Sequence, residues 1–389
     1  MNSAMKHWFS GTKKLGILGG GQLGKMLIQS ASRWDVYCAV LDPNPECPAA
    51  ALANEMVTGQ FNDYNDVMNF GSDKDVVTIE IENVNTQALR DLRDKGVEIY
   101  PSPEVIETIK DKGLQKEFYR KHSIDAPSFE HFNGKDEIMH AVELGNLHLP
   151  FVQKACREGY DGRGVAVINS KEEYHKLLDT ESIVEPKVDI DRELSVILSR
   201  NTGNEINVFP VVEMEFSDEA NLVEMLVSPA RISEELADKA VQLGRKVVES
   251  LNLVGLIAVE LFLTKDGHIM VNESAPRPHN SGHHTIEANF SSQYEQHLRA
   301  ILSLPLGDCH AHSPAVMINL LGSEGHNGNV IYRGSDKVFE CKGAYLHLYG
   351  KKQTKPFRKM GHITICGEDL NELISNAQTL KKAVRIEAD

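Results

Sequence analysis

Glu260 and Glu273 stand on either side of Lys265-Asp266-Gly267, a tight-turn tripeptide between two apolar runs. Two strands joined by such a turn pair as a hairpin, and opposed positions then aim both carboxylates into one space. With Asn272 beside them they form an oxygen-rich set suited to Mg²⁺, a hard cation that shares its ligands with phosphate groups; Mn²⁺ accepts the same donors. Arg277, just beyond, offers a planar guanidinium for phosphoryl oxygens. The chemistry this implies is that of a nucleoside triphosphate site.

Other segments supply matching parts, each with a plainer alternative. Phe151-Val152-Gln153-Lys154 reads as a strand that delivers an ammonium group to phosphate oxygens. Gly159-Tyr160-Asp161-Gly162-Arg163-Gly164-Val165 reads as a loop closing over a nucleotide, or as a polar hairpin tip. Ile183-Val184-Glu185-Pro186-Lys187-Val188, with Glu193 downstream, suits an adenine-binding connector with a carboxylate for ribose hydroxyls, or an edge strand ended by proline. Gly19-Gly20-Gly21-Gln22-Leu23-Gly24 follows a strand and opens a helix, and Asp42 ends the next strand. A dinucleotide domain, a turn for some other phosphate and an unliganded turn all fit that pattern.

Glu80 and Glu82 fall on one face of a strand end, facing solvent or a substrate amine or ribose. His279, His283 and His284 lie in a loop broken by proline and glycine rather than on one helical face. Substrate contact or loop hydrogen bonding is therefore expected there, ahead of metal ligation. Between His347 and His362 the chain is strongly basic, with Lys351, Lys355 and Arg358. Such a run is a solvated face or a pocket for a substrate phosphate, held by Arg358 in a fork.

The elements that must position these residues follow from periodicity. From Lys14 to about Pro103, β-rich runs at Leu15–Leu18, Val36–Leu41, Met56–Thr58, Val76–Glu80 and Glu98–Tyr100 alternate with helical patterns after Gln22 and Asn85. This predicts a parallel α/β sheet. Ser233 caps a helix carrying Leu236, Ala240, Leu243, Val247 and Leu251 at helical spacing. Strands are expected at Ala315–Leu320, Ala344–Leu348 and His362–Cys366, and a helix from Leu370 to about Val384.

At 389 residues the chain suits two or three domains. A formal net charge of −15 excludes general nucleic-acid binding while leaving room for a local basic pocket. No apolar run is long enough to span a bilayer, and the N-terminus has no apolar core of a secretory signal. Six scattered cysteines without a Cys-x-x-Cys pair read as reduced thiols, so a cytoplasmic protein is expected.

Taken together, Gly19–Gly24, Glu80-Ile81-Glu82, Gly159–Gly164, the run Asn272-Glu273-Ser-Ala-Pro-Arg277-Pro-His-Asn280-Ser-Gly-His283 and Arg358-Lys-Met-Gly-His362 resemble the ATP-grasp superfamily. More narrowly they resemble the 5-(carboxyamino)imidazole ribonucleotide synthase family of purine biosynthesis. The resemblance spans nearly the whole chain and implies three domains: Rossmann-like (1–107), ATP-grasp (108–310) and a small C-terminal β-rich domain (311–389). It implies ATP held by Lys112, Lys154, Gly159, Tyr160, Asp161, Gly162, Arg163, Gly164, Val165, Glu185, Pro186, Lys187, Val188, Glu193, Asn272 and Glu273. Glu260 and Glu273 would carry Mg²⁺. Gln22, Leu23, Glu80, Tyr160, Asn280, Lys351, Lys355 and Arg358 would bind aminoimidazole ribonucleotide, and Asp161, Arg163 and Arg277 would be catalytic. Bicarbonate would be phosphorylated to carboxyphosphate, whose carboxyl group passes to the substrate amine. The family also suggests a homodimer and hand-off of the product to the following mutase.

Three positions depart from the family pattern: Lys112 and Lys355 stand where arginine is common, and Phe216 where many members have a nucleotide-contacting histidine. The related formate-dependent glycinamide ribonucleotide transformylase typically has Asp-Thr-Gly in place of Asn280-Ser281-Gly282. Biotin carboxylase differs after its metal glutamate, and an NAD oxidoreductase rests only on Gly19–Gly24 and Asp42.

Overall fold

A computed structural model describes residues 8–9, 12–157, 164–216 and 222–389. The apolar runs of the first hundred residues form a parallel sheet in the order β3-β2-β1-β4-β5. Its strands are β1 (Lys14–Leu18), β2 (Tyr37–Asp42), β3 (Glu55–Thr58), β4 (Val76–Ile79) and β5 (Glu98–Ile99). β1 and β4 are buried almost throughout, the pattern of a sheet covered on both faces. Helices Gln22–Ser32 and Thr86–Asp94 begin where the periodicity places them, and Asn85 caps the second by accepting from Ala88 N–H.

A smaller antiparallel sheet follows in the order β6-β9-β7-β8: β6 (Glu130–Phe132), β7 (Phe151–Ala155), β8 (Val165–Ile168) and β9 (Ser182–Pro186). One face packs Phe132, Phe151, Ala166, Ile168 and Val184 into a local core. Residues of opposite parity, among them Lys154 and Glu185, lie on the other face.

The main sheet is built on β10 (Ile190–Arg200), β11 (Ile206–Val208), β12 (Val212–Phe216), β13 (Val223–Ser228), β14 (Gly255–Thr264) and β15 (Ile269–Ala275). Leu194, Val196, Leu198, Val259 and Leu261 pack on Ala240, Val247, Val248 and Leu251 of helix Glu234–Leu251, which Ser233 caps at Leu236 N–H. Each such buried aliphatic side chain contributes about 1.5–3 kcal/mol. With that face committed to the core, alternation leaves Glu193, Ser195, Glu260 and Phe262 on the opposite one.

The C-terminal strands do not stand apart as a separate sheet. β16 (Ala315–Leu321) pairs with the open edge of β13, and the sheet continues to β20 (Lys359–Cys366) and β18 (Ala344–Leu348). Only β17 (Gly328–Arg333), β19 (Gln353–Thr354) and β21 (Arg385–Ala388) form a small sheet of their own. Pairing satisfies the backbone groups that β13 would otherwise expose.

The N-terminal unit is sealed to the centre through Met26 and Leu27, which pack on Tyr294, Leu298 and Ile301 of helix Gln293–Ile301. His297 ties the seam: Leu256 N–H donates to its Nδ1 at 3.2 Å, which leaves Nε2–H to donate to Thr78 Oγ1 at 2.9 Å. Burial pushes this histidine down to about 3, so it stays neutral. Among the described residues no helix is long and apolar enough to cross a membrane.

Candidate active site

β14 and β15 pair as the turn predicts, with Glu260 directly opposite Glu273. A register shift follows at Glu260/Leu261, where β15 carries one residue more than its partner. Neighbours in a regular strand point to opposite faces, and a bulge removes that constraint. Asn272 and Glu273 therefore both serve the polar side. Asn272 Oδ1 accepts from Lys154 Nζ at 2.8 Å, and Glu273 is ion-paired with Lys112.

Around this pair lies a dense ionic group. Glu185 is buried between Lys154 at 2.8 Å and Lys116 at 2.6 Å. The carboxylates of Glu185, Glu193, Glu260 and Glu273 thus share the region with the ammonium groups of Lys112, Lys116 and Lys154. Burial raises Glu193 to about 7, with Glu273 adding to the shift and Lys154 opposing it. Burial and the charges of Glu273 and Glu193 push Glu260 up, whereas Lys112 holds Glu273 down. The charges of Glu273, Glu260 and Glu185 outweigh burial and keep Lys112 firmly protonated, while burial lowers Lys116 to about 8. Ionising Glu260 beside Glu273 calls for a further positive charge, so the donor set fits a hard divalent cation.

Lys116 carries no motif in the sequence. Its signal is spacing: four residues after Lys112 on helix Lys112–Lys121, it shares that residue's face.

Beyond Glu273 the loop turns toward the N-terminal unit. Arg277 Nε lies 2.8 Å from Glu82 Oε1, so its guanidinium bridges two domains. His279 Nδ1 accepts from Ser281, and its Nε2 lies 3.5 Å from Glu260 Oε1. Asn280 pairs head to tail with Asn319, each amide nitrogen donating to the other's oxygen, so this amide is engaged within the protein. His283 and His284 are buried; Tyr294 and Gln293 meet His283 Nδ1, and the His362 ring packs tilted against that of His283. These contacts explain His279 and His283 by hydrogen bonding and packing, whereas both ring nitrogens of the buried His284 lack a hydrogen-bond partner among the described residues.

The glycine turn at Gly19–Gly24 is closed from within. Gly20 N–H donates to Asp42, while Gly21 and Gly24 N–H groups donate to Glu80. A Cβ on Gly20 would stand 2.3 Å from Cys47 Sγ, and one on Gly21 2.5 Å from Glu80 Oε1, so glycine is needed for the close approach of these side chains. Asp42 and Glu80 occupy the amides that a dinucleotide pyrophosphate would use, which removes the basis of the NAD reading. Gln22 and Leu23 are half-buried at the head of the helix behind this turn.

Of the expected connector, Pro186 and Lys187 are exposed and Val188 half-buried, and Lys187 N–H donates to Pro150 O at 3.2 Å. Lys351 donates to Lys359 O, Arg358 to Gln353 O, and Lys355 is exposed. Phe216 ends β12 beside Met214 and Met317. Gly164 accepts from Ala155 N–H, and Val165 pairs with Lys154. Gly159, Tyr160, Asp161, Gly162 and Arg163 lie outside the described residues.

Opposed carboxylates on a hairpin, Lys154 from a smaller sheet, Lys112 and Lys116 from a helix, and an α/β unit joined through Arg277 define an ATP-grasp ligase. Residues 12–110 match the ribonucleotide synthetase preATP-grasp domain, 117–294 the ATP-grasp domain and 315–376 the phosphoribosylaminoimidazole carboxylase C-terminal domain. The N5-carboxyaminoimidazole ribonucleotide synthase of Bacillus subtilis is 37% identical over 364 residues, covering 92% of this chain and 93% of that one. A chloroplastic phosphoribosylaminoimidazole carboxylase of Vigna aconitifolia is 38% identical over 94% of this chain, which spans 66% of that longer protein. The crystal structure of the Thermotoga maritima synthetase superposes with a TM-score of 0.89 at 40% identity, covering 97% of this chain and all of that one. An Aspergillus clavatus synthase in complex with ADP and 5-aminoimidazole ribonucleotide gives 0.86 at 34% identity, covering 95% and 98%. The chain belongs to the N5-carboxyaminoimidazole ribonucleotide synthase family.

Proposed function

We propose that the chain carboxylates the exocyclic amine of aminoimidazole ribonucleotide with bicarbonate at the expense of ATP, as a step of purine biosynthesis. Bicarbonate oxygen attacks the γ-phosphorus and ADP leaves; the resulting carboxyphosphate yields its carboxyl group, directly or as CO₂, to the amine, and phosphate departs. The observation that carries this reading is the Glu260–Glu273 pair set between Lys112 and Lys154 on one side and the Arg277–Glu82 bridge on the other. That arrangement suits a nucleotide phosphate end meeting an acceptor held against the N-terminal unit.

In this reading Lys112 and Lys154 meet ATP phosphates, while Glu185, Pro186, Lys187, Val188 and Glu193 line the nucleoside. Lys116 holds Glu185, and through it Lys154, in place. Glu260, Glu273 and Asn272 would hold Mg²⁺, which when bound neutralises phosphate charge during transfer. Phosphoryl transfer is largely positioning and charge compensation, which these buried cations and carboxylates supply. Carboxyphosphate hydrolyses readily, so residues 159–164 serve best as a cover that excludes water, with Asp161 orienting the amine or taking its proton. Gln22, Leu23, Glu80, Lys351, Lys355 and Arg358 would surround the ribonucleotide. A cytoplasmic homodimer that passes its product to a mutase completes the proposal.

The test is ADP release with aminoimidazole ribonucleotide in bicarbonate and in formate. Bicarbonate-dependent turnover supports the reading; formate-dependent turnover with glycinamide ribonucleotide overturns it.

A further inference from the structure

Outside the carboxylate pair, His131, Cys156 and Glu181 bring an imidazole nitrogen, a sulfur and a carboxylate oxygen within 4.8 Å of one another. Sheet geometry places them there. Lys154 opposes Ile183 on β9, and Ile183 opposes His131 on β6. Glu181 sits two residues before Ile183, and Cys156 two after Lys154, so period-two alternation directs all three side chains to one face.

The contacts converge on a single atom. His131 Nε2 is 3.5 Å from Cys156 Sγ and 3.3 Å from Glu181 Oε1. One imidazole nitrogen cannot accept from a thiol and donate to a carboxylate at once; a relay would use both ring nitrogens. A cation among the three donors satisfies all of them. With metal–sulfur and metal–nitrogen bonds near 2.3 and 2.0 Å, a tetrahedral ion separates its ligands by roughly 3.3–3.6 Å. The two distances fall in that range.

Gly113 leaves space over the group: a Cβ there would stand 3.3 Å from His131 Nε2 and 3.4 Å from Cys156 Sγ. Burial, with the charges of Asp111 and Glu181, raises the Cys156 thiol to about 11, a shift that the Gly113 N–H opposes, so a bound cation has a proton to displace there.

We propose that His131, Cys156 and Glu181 bind a zinc-class divalent cation, with water in the fourth position. Thiolate and imidazole select a softer ion than the all-oxygen set at Glu260 and Glu273, so the sites accept different metals. On binding, the Cys156 S–H bond breaks, a sulfur–metal bond forms and the proton passes to solvent. Occupancy would tie β6, β7 and β9 together beside Lys112, whose N–H donates to Cys156 O at 2.8 Å.

The test uses the full reduced chain, stripped with chelator and titrated with Zn²⁺ against a chromophoric competitor in excess Mg²⁺. One tight equivalent is expected, and Co²⁺ in its place should give a thiolate-to-metal charge-transfer band. Cys156→Ala and His131→Ala should each weaken binding by about tenfold or more and remove or shift that band. Cys341→Ala and Cys366→Ala should change neither. Circular dichroism of the metal-free variants checks that they fold. Failure to bind an equivalent overturns the proposal, as does binding that survives in both folded site variants or is lost with Cys341 or Cys366. Carboxylating activity can fail its own assay without affecting this result.

Discussion

The glycine turn at Gly19–Gly24 and the hairpin carrying Glu260 and Glu273 both look, in the sequence, like places where a phosphate ends up. In the folded chain they are opposites. At the glycine turn the anionic groups are already present: Asp42 and Glu80 accept from the Gly20, Gly21 and Gly24 N–H groups, so these amides are satisfied by the protein's own side chains. At the hairpin two carboxylates oppose each other across one strand pair; Glu273 is ion-paired with Lys112, and Glu260 has His279 Nε2 at 3.5 Å. A motif therefore specifies a backbone shape; the partners that the rest of the chain supplies decide whether a ligand is still required.

The largest test of this contrast is Glu273→Gln. Loss of the metal carboxylate should lower ATP turnover by about a thousandfold, read as ADP release, while circular dichroism stays native. Wild-type ADP release would remove the metal assignment. Next in size, Glu80→Ala leaves two amides of the glycine turn without their acceptor and should lower stability by about 1–3 kcal/mol in chemical denaturation. An unchanged midpoint would show that the turn does not depend on its internal carboxylate.

Glu193 sharpens the hairpin side through pH. Burial lifts its folded value to about 7, above the 4.5 of an ordinary glutamate. The folded state therefore binds more protons across that interval, and stability falls as pH rises through it. Melting temperatures across that pH interval should decline less in Glu193→Gln than in the parent protein; equal slopes would discard this source. The smallest effect is expected for Asp42→Asn, which keeps one acceptor for the Gly20 or Asn44 N–H and should cost only about 0.5–1.5 kcal/mol, again by denaturation.

Much of the scaffold was legible because it rests on local rules. The Ser233 cap, the parallel strands from Leu15 to Glu98 and the Glu260–Glu273 hairpin follow from capping, hydrophobic periodicity and turn chemistry. The joining of β13 to β16 was not, since edge pairing depends on which distant strand reaches it. The pairing of Asn280 with Asn319 was hidden for the same reason: a buried amide accepts a partner from any part of the chain.

The amino-acid sequence by itself determined which carboxylates face each other, because strand period and a tight turn are properties of neighbouring residues. Tertiary structure alone decided which charges meet them. The pairing of Lys112 with Glu273, the burial of Glu185 between Lys116 and Lys154, and the filling of the glycine turn by Glu80 join segments far apart in the chain. Charge compensation in a buried space depends on distance through the fold, and residue spacing along the chain does not encode it.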